Sequence, residues 1–182
     1  MQLSDRALVA LYWEARAASP QLAAQALLPA FIAMQEAGLG TFFLKARSRK
    51  RAESTAFVPS LSSLGKLLAR GVNRRDLDGG TIPELGLSAS LWSGGPDEES
   101  FHLSVHVGST SPHAKNCLLL ELPASGPFAL HRQPAKVQAL FAKLVEVLNP
   151  SQGVVCEPSA IRWDGAALSP GIPSLVQYKN AA

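Results

Sequence analysis

Two histidines, His102 and His106, stand four residues apart in an alternating stretch, Phe101–Gly108. On a strand that spacing points both rings to one face, and a metal pair is the sharpest chemistry they would support. Catalytic zinc sites take three protein ligands, and no third ligand is marked here. The pair reads more simply as part of a polar sheet face. Ser88 sits in Gly-Leu-Ser-Ala-Ser, which lacks the second glycine of a nucleophile elbow. Gly65-Lys66 is followed by Leu67, and Ser60 stands where a phosphate-binding loop needs its first glycine. Gly79-Gly80 and Gly94-Gly95 read as turn glycines. Lys45, Arg47, Arg49, Lys50 and Arg51 form a basic run able to contact phosphates, with Phe42 and Phe43 before it but no ring within it for base stacking. Asp76, Asp78 and Glu84 suggest a divalent cation site; pairing of the aspartates with Arg74 and Arg75, and a turn at Asp78-Gly79-Gly80, is simpler. Asp97, Glu98 and Glu99 form an acidic hairpin tip beside Trp92. A ring supplies buried area and carboxylates supply steering, so this tip suits protein recognition.

The elements that must position these residues follow from periodicity. Residues 6–16 mix Val9, Leu11, Tyr12 and Trp13 and read as a first strand. Ser19-Pro20 reads as an N-cap and first helical position, with a buried stripe through Ala24, Leu27, Leu28, Phe31 and Met34 to Gly38. Gly40–Lys45 reads as a second strand. Leu61, Leu64, Leu67 and Leu68 mark a second helix between Ser60 and Gly71. Three short apolar runs follow, Leu87–Trp92, Phe101–Gly108 and Asn116–Leu122, split by turn residues in the manner of an antiparallel meander. Cys117–Leu122 is apolar on both faces and suits a central strand. Pro134 opens a third helix that Asn149-Pro150 closes, and Gly153–Glu157 reads as a last strand, with Ile161–Gly165 beside it. The expected fold is α+β: a single domain over residues 1–182, a mostly antiparallel sheet with about three helices on one face, and an extended Pro/Gly-rich tail from Ala166.

Composition narrows the function classes. Lys plus Arg is 17 and Asp plus Glu is 14, a net charge of only +3, which argues against wholesale nucleic-acid mimicry or a uniformly basic binding face. Two cysteines, Cys117 and Cys156, make no disulfide framework and read as buried thiols of a reducing compartment. Ala7–Trp13 is too short for a signal peptide core and is hemmed in by Asp5, Arg6 and Glu14. No run approaches the roughly 20 apolar residues of a membrane span. A cytoplasmic protein is expected, with no cofactor.

The least generic stretch is Leu64–Trp92, which spends Arg74, Arg75, Asp76 and Asp78 and five glycines where a plain connector needs two or three small residues. Here a resemblance emerges. The succession Phe43-Leu44-Lys45, Arg47-Ser48-Arg49 and Ala52, the helix Leu64–Gly71, Asn73-Arg74-Arg75-Asp76, Ile82-Pro83-Glu84-Leu85-Gly86, Leu91-Trp92-Ser93-Gly94, Val107-Gly108, and Asn116 leading into Leu118–Pro123 resembles the Immunity protein 52 family of bacterial polymorphic-toxin systems. It covers residues 40–123, about half the chain.

The resemblance implies an antidote rather than an enzyme. Such a protein binds a cognate toxin, typically one with a restriction-endonuclease-fold nuclease domain delivered by a contact-dependent system, often type VI, and neutralises it by stoichiometric inhibition. It brings no catalytic residues to carry over. The candidate partner-binding residues are then Asp97, Glu98 and Glu99 with Trp92 as an anchor, and Arg74, Arg75 and Asp76 as partners for acidic groups of the toxin. Two other readings stay open: a small nucleic-acid-binding protein using residues 45–51, and an enzyme using the His102/His106 face.

Overall fold

The computed structural model describes residues 6–44, 55–96, 99–129, 132–156 and 176–179. Its centre is one eight-stranded antiparallel sheet in the order β3-β2-β4-β5-β6-β1-β7-β8. The strands are β1 (Ala7–Trp13), β2 (Phe42–Leu44), β3 (Thr55–Phe57), β4 (Leu87–Trp92), β5 (His102–Val107), β6 (Asn116–Leu122), β7 (Gln152–Cys156) and β8 (Val176–Lys179). Three helices, α1 (Pro20–Glu36), α2 (Leu61–Arg70) and α3 (Pro134–Leu148), pack on one face. The α+β architecture expected from the sequence is therefore the one observed.

Side-chain alternation assigns the faces. Val9 and Leu11 of β1, Leu118 and Leu120 of β6, Leu103 and Val105 of β5, and Leu87 and Leu91 of β4 join Leu27, Phe31, Met34, Leu64, Leu68, Leu140 and Leu144 of the helices in one core. Phe31 packs edge-on against Phe42 at 5.0 Å between centroids, and Phe42 against Phe101 at 5.3 Å, so rings tie α1 to β2 and to the entry of β5. The opposite face carries no helix among the described residues, yet it has an apolar centre of its own: Leu8, Ala10, Leu119, Val154 and Cys156. Those residues come from β6, β1 and β7, so the two-sided apolarity of Cys117–Leu122 does mark a central strand.

The helix boundaries have local causes. The Ser19 hydroxyl accepts from the Leu22 amide at 3.3 Å and Pro20 follows, which fixes the start of α1. Ser60 and Ser63 form a reciprocal cap at the start of α2. Asn149 takes a left-handed conformation, φ 44°, and ends α3. Two strands were not expected from the sequence, β3 and β8. Each is an edge strand of three or four residues, too short for alternation to register. In the Pro/Gly-rich tail, Val176–Lys179 is strand; Ile161–Gly165 lies outside the described residues.

Candidate functional site

The candidate residues divide between the two ends of β4. Arg74, Arg75 and Asp76 precede its first residue, Leu87; Trp92 and the acidic tip lie at and beyond its last. Six residues at roughly 3.3 Å each put Trp92 about 20 Å along the strand from Leu87.

At the far end, Asp97 and Glu98 lie outside the described residues, and Glu99 is exposed. Trp92, the expected anchor, is only 7% exposed and stacks on His102 at 6.5 Å. Its ring is taken up by the sheet instead of being offered to a partner, because the alternation of β4 places it beside Phe43 and His102 of the neighbouring strands. The basic run Lys45–Arg51 also lies outside the described residues.

The near end is built more firmly. Gly71 closes α2 against β4: the Ser88 amide donates to the Gly71 carbonyl at 2.9 Å, and a Cβ on Gly71 would stand 1.7 Å from the Ser88 carbonyl oxygen. From there the chain makes a narrow loop. Asn73 donates through Nδ2 to the carbonyls of Leu85 and Gly86 and accepts from the Ile82 amide, drawing both ends of the loop together. The Arg75 amide donates to the Gly80 carbonyl at 2.8 Å, and the Asp78 carboxylate accepts from the Gly80 amide at 2.8 Å. The Arg74 guanidinium donates to the Gly79 carbonyl, and Arg75 faces Asp78 at 3.5 Å. Of the expected Arg–Asp pairing, only Arg75–Asp78 is present, and the turn at Asp78-Gly79-Gly80 is formed; the exposed ion pair itself contributes little stability. Asp76 has no hydrogen bond or ion pair among the described residues, and Leu77 between the two aspartates is fully exposed at 101%. Sequence reading passed over Leu77, although an apolar residue between two aspartates in a polar turn was its visible signal.

This loop is clamped to the next turn. The Glu84 carbonyl accepts from Ser109 Oγ and from the amides of Thr110 and Ser111, all at 3.0 Å. Gly86, at φ 71°, has no room for a Cβ, which would meet the Val107 carbonyl oxygen at 2.5 Å. Asn116, 3% exposed, then joins this turn to the chain after β1: its Oδ1 accepts from the Ser109 amide at 2.8 Å, and its Nδ2 donates to the carbonyls of Ser109 and Glu14, both at 2.9 Å.

On the helix-free face, Ser88 and His106 pair across β4 and β5, with Oγ and Nδ1 2.9 Å apart. His106 Nε2 is buried without a partner, and burial pulls the ring's pKa below its usual value. Cys117 and Tyr12 lie next in the same row, with burial pushing the thiol up to about 11 and the phenol to about 12. A serine–histidine pair works as a nucleophile when a third group orients the other ring nitrogen; among the described residues no side chain hydrogen-bonds His106 Nε2, and the Leu85 backbone only partly offsets the effect of burial on the ring. His102 and His106 share this face as expected, and among the described residues no group of three or more His, Cys, Asp or Glu is placed to hold a metal ion. Both cysteines are free thiols. No helix of the described residues is long and apolar enough to cross a membrane.

The loop end of this fold is held by its own hydrogen bonds and bears charges of both signs. The sequence profile of the family described as Immunity protein 52 matches residues 6–163. The chain belongs to that family, which implies an immunity role and a cognate toxin as partner. No curated protein matches the sequence. Among solved structures, the Pseudomonas aeruginosa T6SS protein PA0821 is similar, with a TM-score of 0.47 and 15% identity; the similarity covers 84% of this chain and 42% of that one.

Proposed function

We propose that the protein binds and neutralises a cognate antibacterial nuclease toxin, delivered by a type VI or related contact-dependent system, by stoichiometric inhibition without catalysis. Family membership supplies the class. The observation that carries the mechanism is the loop at residues 73–86, held by its own backbone and side-chain hydrogen bonds while Arg74, Arg75, Asp76 and Leu77 face solvent. A surface ordered before binding loses little entropy when it docks. A nuclease active site of the expected kind carries acidic metal ligands, and Arg74 and Arg75 are the matching donors. The acidic tip at residues 97–99 is a second contact, suited to a basic nucleic-acid groove.

The test is binding of the toxin domain encoded beside this chain, measured by calorimetry and by protection of DNA from cleavage. Arg74→Glu with Arg75→Glu is expected to weaken binding at least tenfold with the fold intact. Unchanged affinity would remove the loop from the interface, and unchanged affinity after charge reversal at Asp97, Glu98 and Glu99 would remove the tip. A wild-type chain that neither binds nor protects would end the inhibitor reading.

A further inference from the structure

Helix α1 is apolar on both faces. Its inner face, with Leu27, Phe31 and Met34, lies in the core. Its outer stripe is Leu22, Ala26, Pro29 and Ile32, at helical spacing and all exposed, Leu22 by 61% and Ile32 by 45%. Gln21, Gln25 and Gln35 flank the stripe, and α1 holds no charged residue before Glu36, its last. A surface helix ordinarily sets charges on its outer face, and one that is apolar all round calls for cover. We propose that this stripe is the contact between two copies of the chain, paired about a two-fold axis with their α1 helices antiparallel. The inference stands apart from the inhibitor reading and does not depend on it.

Charge, shape and area select a second copy as the occupant. The first turn of α1 has no acidic residue and its last turn no basic one, so neither end of the helix dipole is answered within α1. Glu36 even adds a carboxylate at the negative end. Antiparallel pairing sets each Glu36 against the positive end of the copy's α1, and so answers both ends at once. Glu14 and Arg16, the exposed charges just before that end, are opposite in sign, which leaves the attraction to the helix end itself. The stripe also maps onto itself about Pro29. Ala26 and Ile32 lie three residues to either side, Leu22 and Glu36 seven. Ile32 of one copy therefore covers the copy's Ala26, a large side chain over a small one. An uncharged apolar stripe has the composition of a permanent contact, and another copy is the partner present wherever the chain is made. The area suffices as well. With 17 residues α1 runs about 25 Å, and α2 and α3 each pack against it about 10 Å away, so the layer offers roughly 700 Å² per copy. A stable interface takes about 800 Å² from each partner. Val58 and Leu61, at the entry to α2, add exposed apolar surface near Ile32, since Phe57 packs on Phe31 at 6.2 Å.

Analytical ultracentrifugation of the full chain at micromolar concentration, with no toxin present, is the test. The expected mass is twice the 19.3 kDa of one chain. Ala26→Asp and Ile32→Lys, both at exposed positions, are each expected to weaken dimerisation at least tenfold, because each buries unpaired charge at both symmetry-related contacts. An equal mixture of the two variants is expected to recover the dimer mass, since one of the two contacts then pairs the new carboxylate with the new ammonium and the other is wild type. Recovery on mixing also excludes misfolding as the cause of the loss. Glu36→Lys is expected to weaken the dimer while favouring α1 within each chain, and its effect should shrink as salt rises. A wild type that stays at 19.3 kDa, or that forms an assembly larger than two chains, overturns the proposal. Variants that dimerise within twofold of wild type remove the α1 stripe from the contact, and a mixture that fails to recover overturns the antiparallel pairing.

Discussion

Asn116 spends all of its amide on three backbone groups, and Asn73 does much the same thirteen residues before Gly86. These side chains, more than the arginines between them, make the loop end rigid, because an amide that bridges backbone groups removes freedom that charged surface pairs leave. His106 is the residue whose environment yields a pH effect. Its folded pKa lies below the unfolded value of about 6.5, so the unfolded chain binds more protons in that window. Stability is therefore expected to be full above pH 6.5 and to fall as pH drops from there toward the folded pKa. Its cross-strand neighbours Ser88 and Cys117, and Tyr12 beyond Cys117 in the same row, stay neutral across that range, the thiol at about 11 and the phenol at about 12. Urea titrations from pH 5 to 8 check this: His106→Gln should flatten the profile relative to wild type, and parallel profiles would assign the slope to other groups.

Between elements, the decisive contact is the one α2 makes with β4 through Gly71. A methyl there would meet backbone, the Ser88 carbonyl oxygen at 1.7 Å, which cannot swing aside as a side chain can. Gly71→Ala is expected to cost about 3 kcal/mol or more in denaturant unfolding. Gly65→Ala, six residues earlier in α2 where a Cβ meets nothing within 4 Å, is expected to gain up to about 1 kcal/mol from helix propensity. If both cost the same, the close approach is not what selects glycine at 71. The elements themselves were largely legible. Pro134 and Asn149 mark the limits of α3, Ser60 and Gly71 those of α2, and β4 and β6 have the bounds that their apolar runs predict. Asn73, Gly86 and Asn116 could be quoted as a pattern but not explained by one. Their reasons are partners elsewhere in the chain, which no local period records. β3 and β8 were missed because a strand of three or four residues at a sheet edge is defined by its neighbour.

Across the whole molecule, Arg74, Arg75 and Asp76 precede β4, while Trp92 ends it and Glu99 follows. A strand of six residues sets its two ends about 20 Å apart. Charge reversals at 74–75 and at 97–99 are accordingly expected to act additively on toxin affinity, within about 0.5 kcal/mol. A double variant far from the sum would show the two ends coupled. The place of β1 carries one more consequence. It is the first strand of the chain, yet its neighbours are β6 and β7, so Tyr12 pairs with Cys117 on one side and Gln152 on the other. Closing loops that long comes before any reward from the contacts, and such topologies fold slowly. The middle of the sheet cannot be completed until residue 156 has left the ribosome. On the inhibitor reading proposed above, the chain protects nothing while half-made, so a cell that begins synthesis only on meeting the toxin starts with a delay written into its strand order.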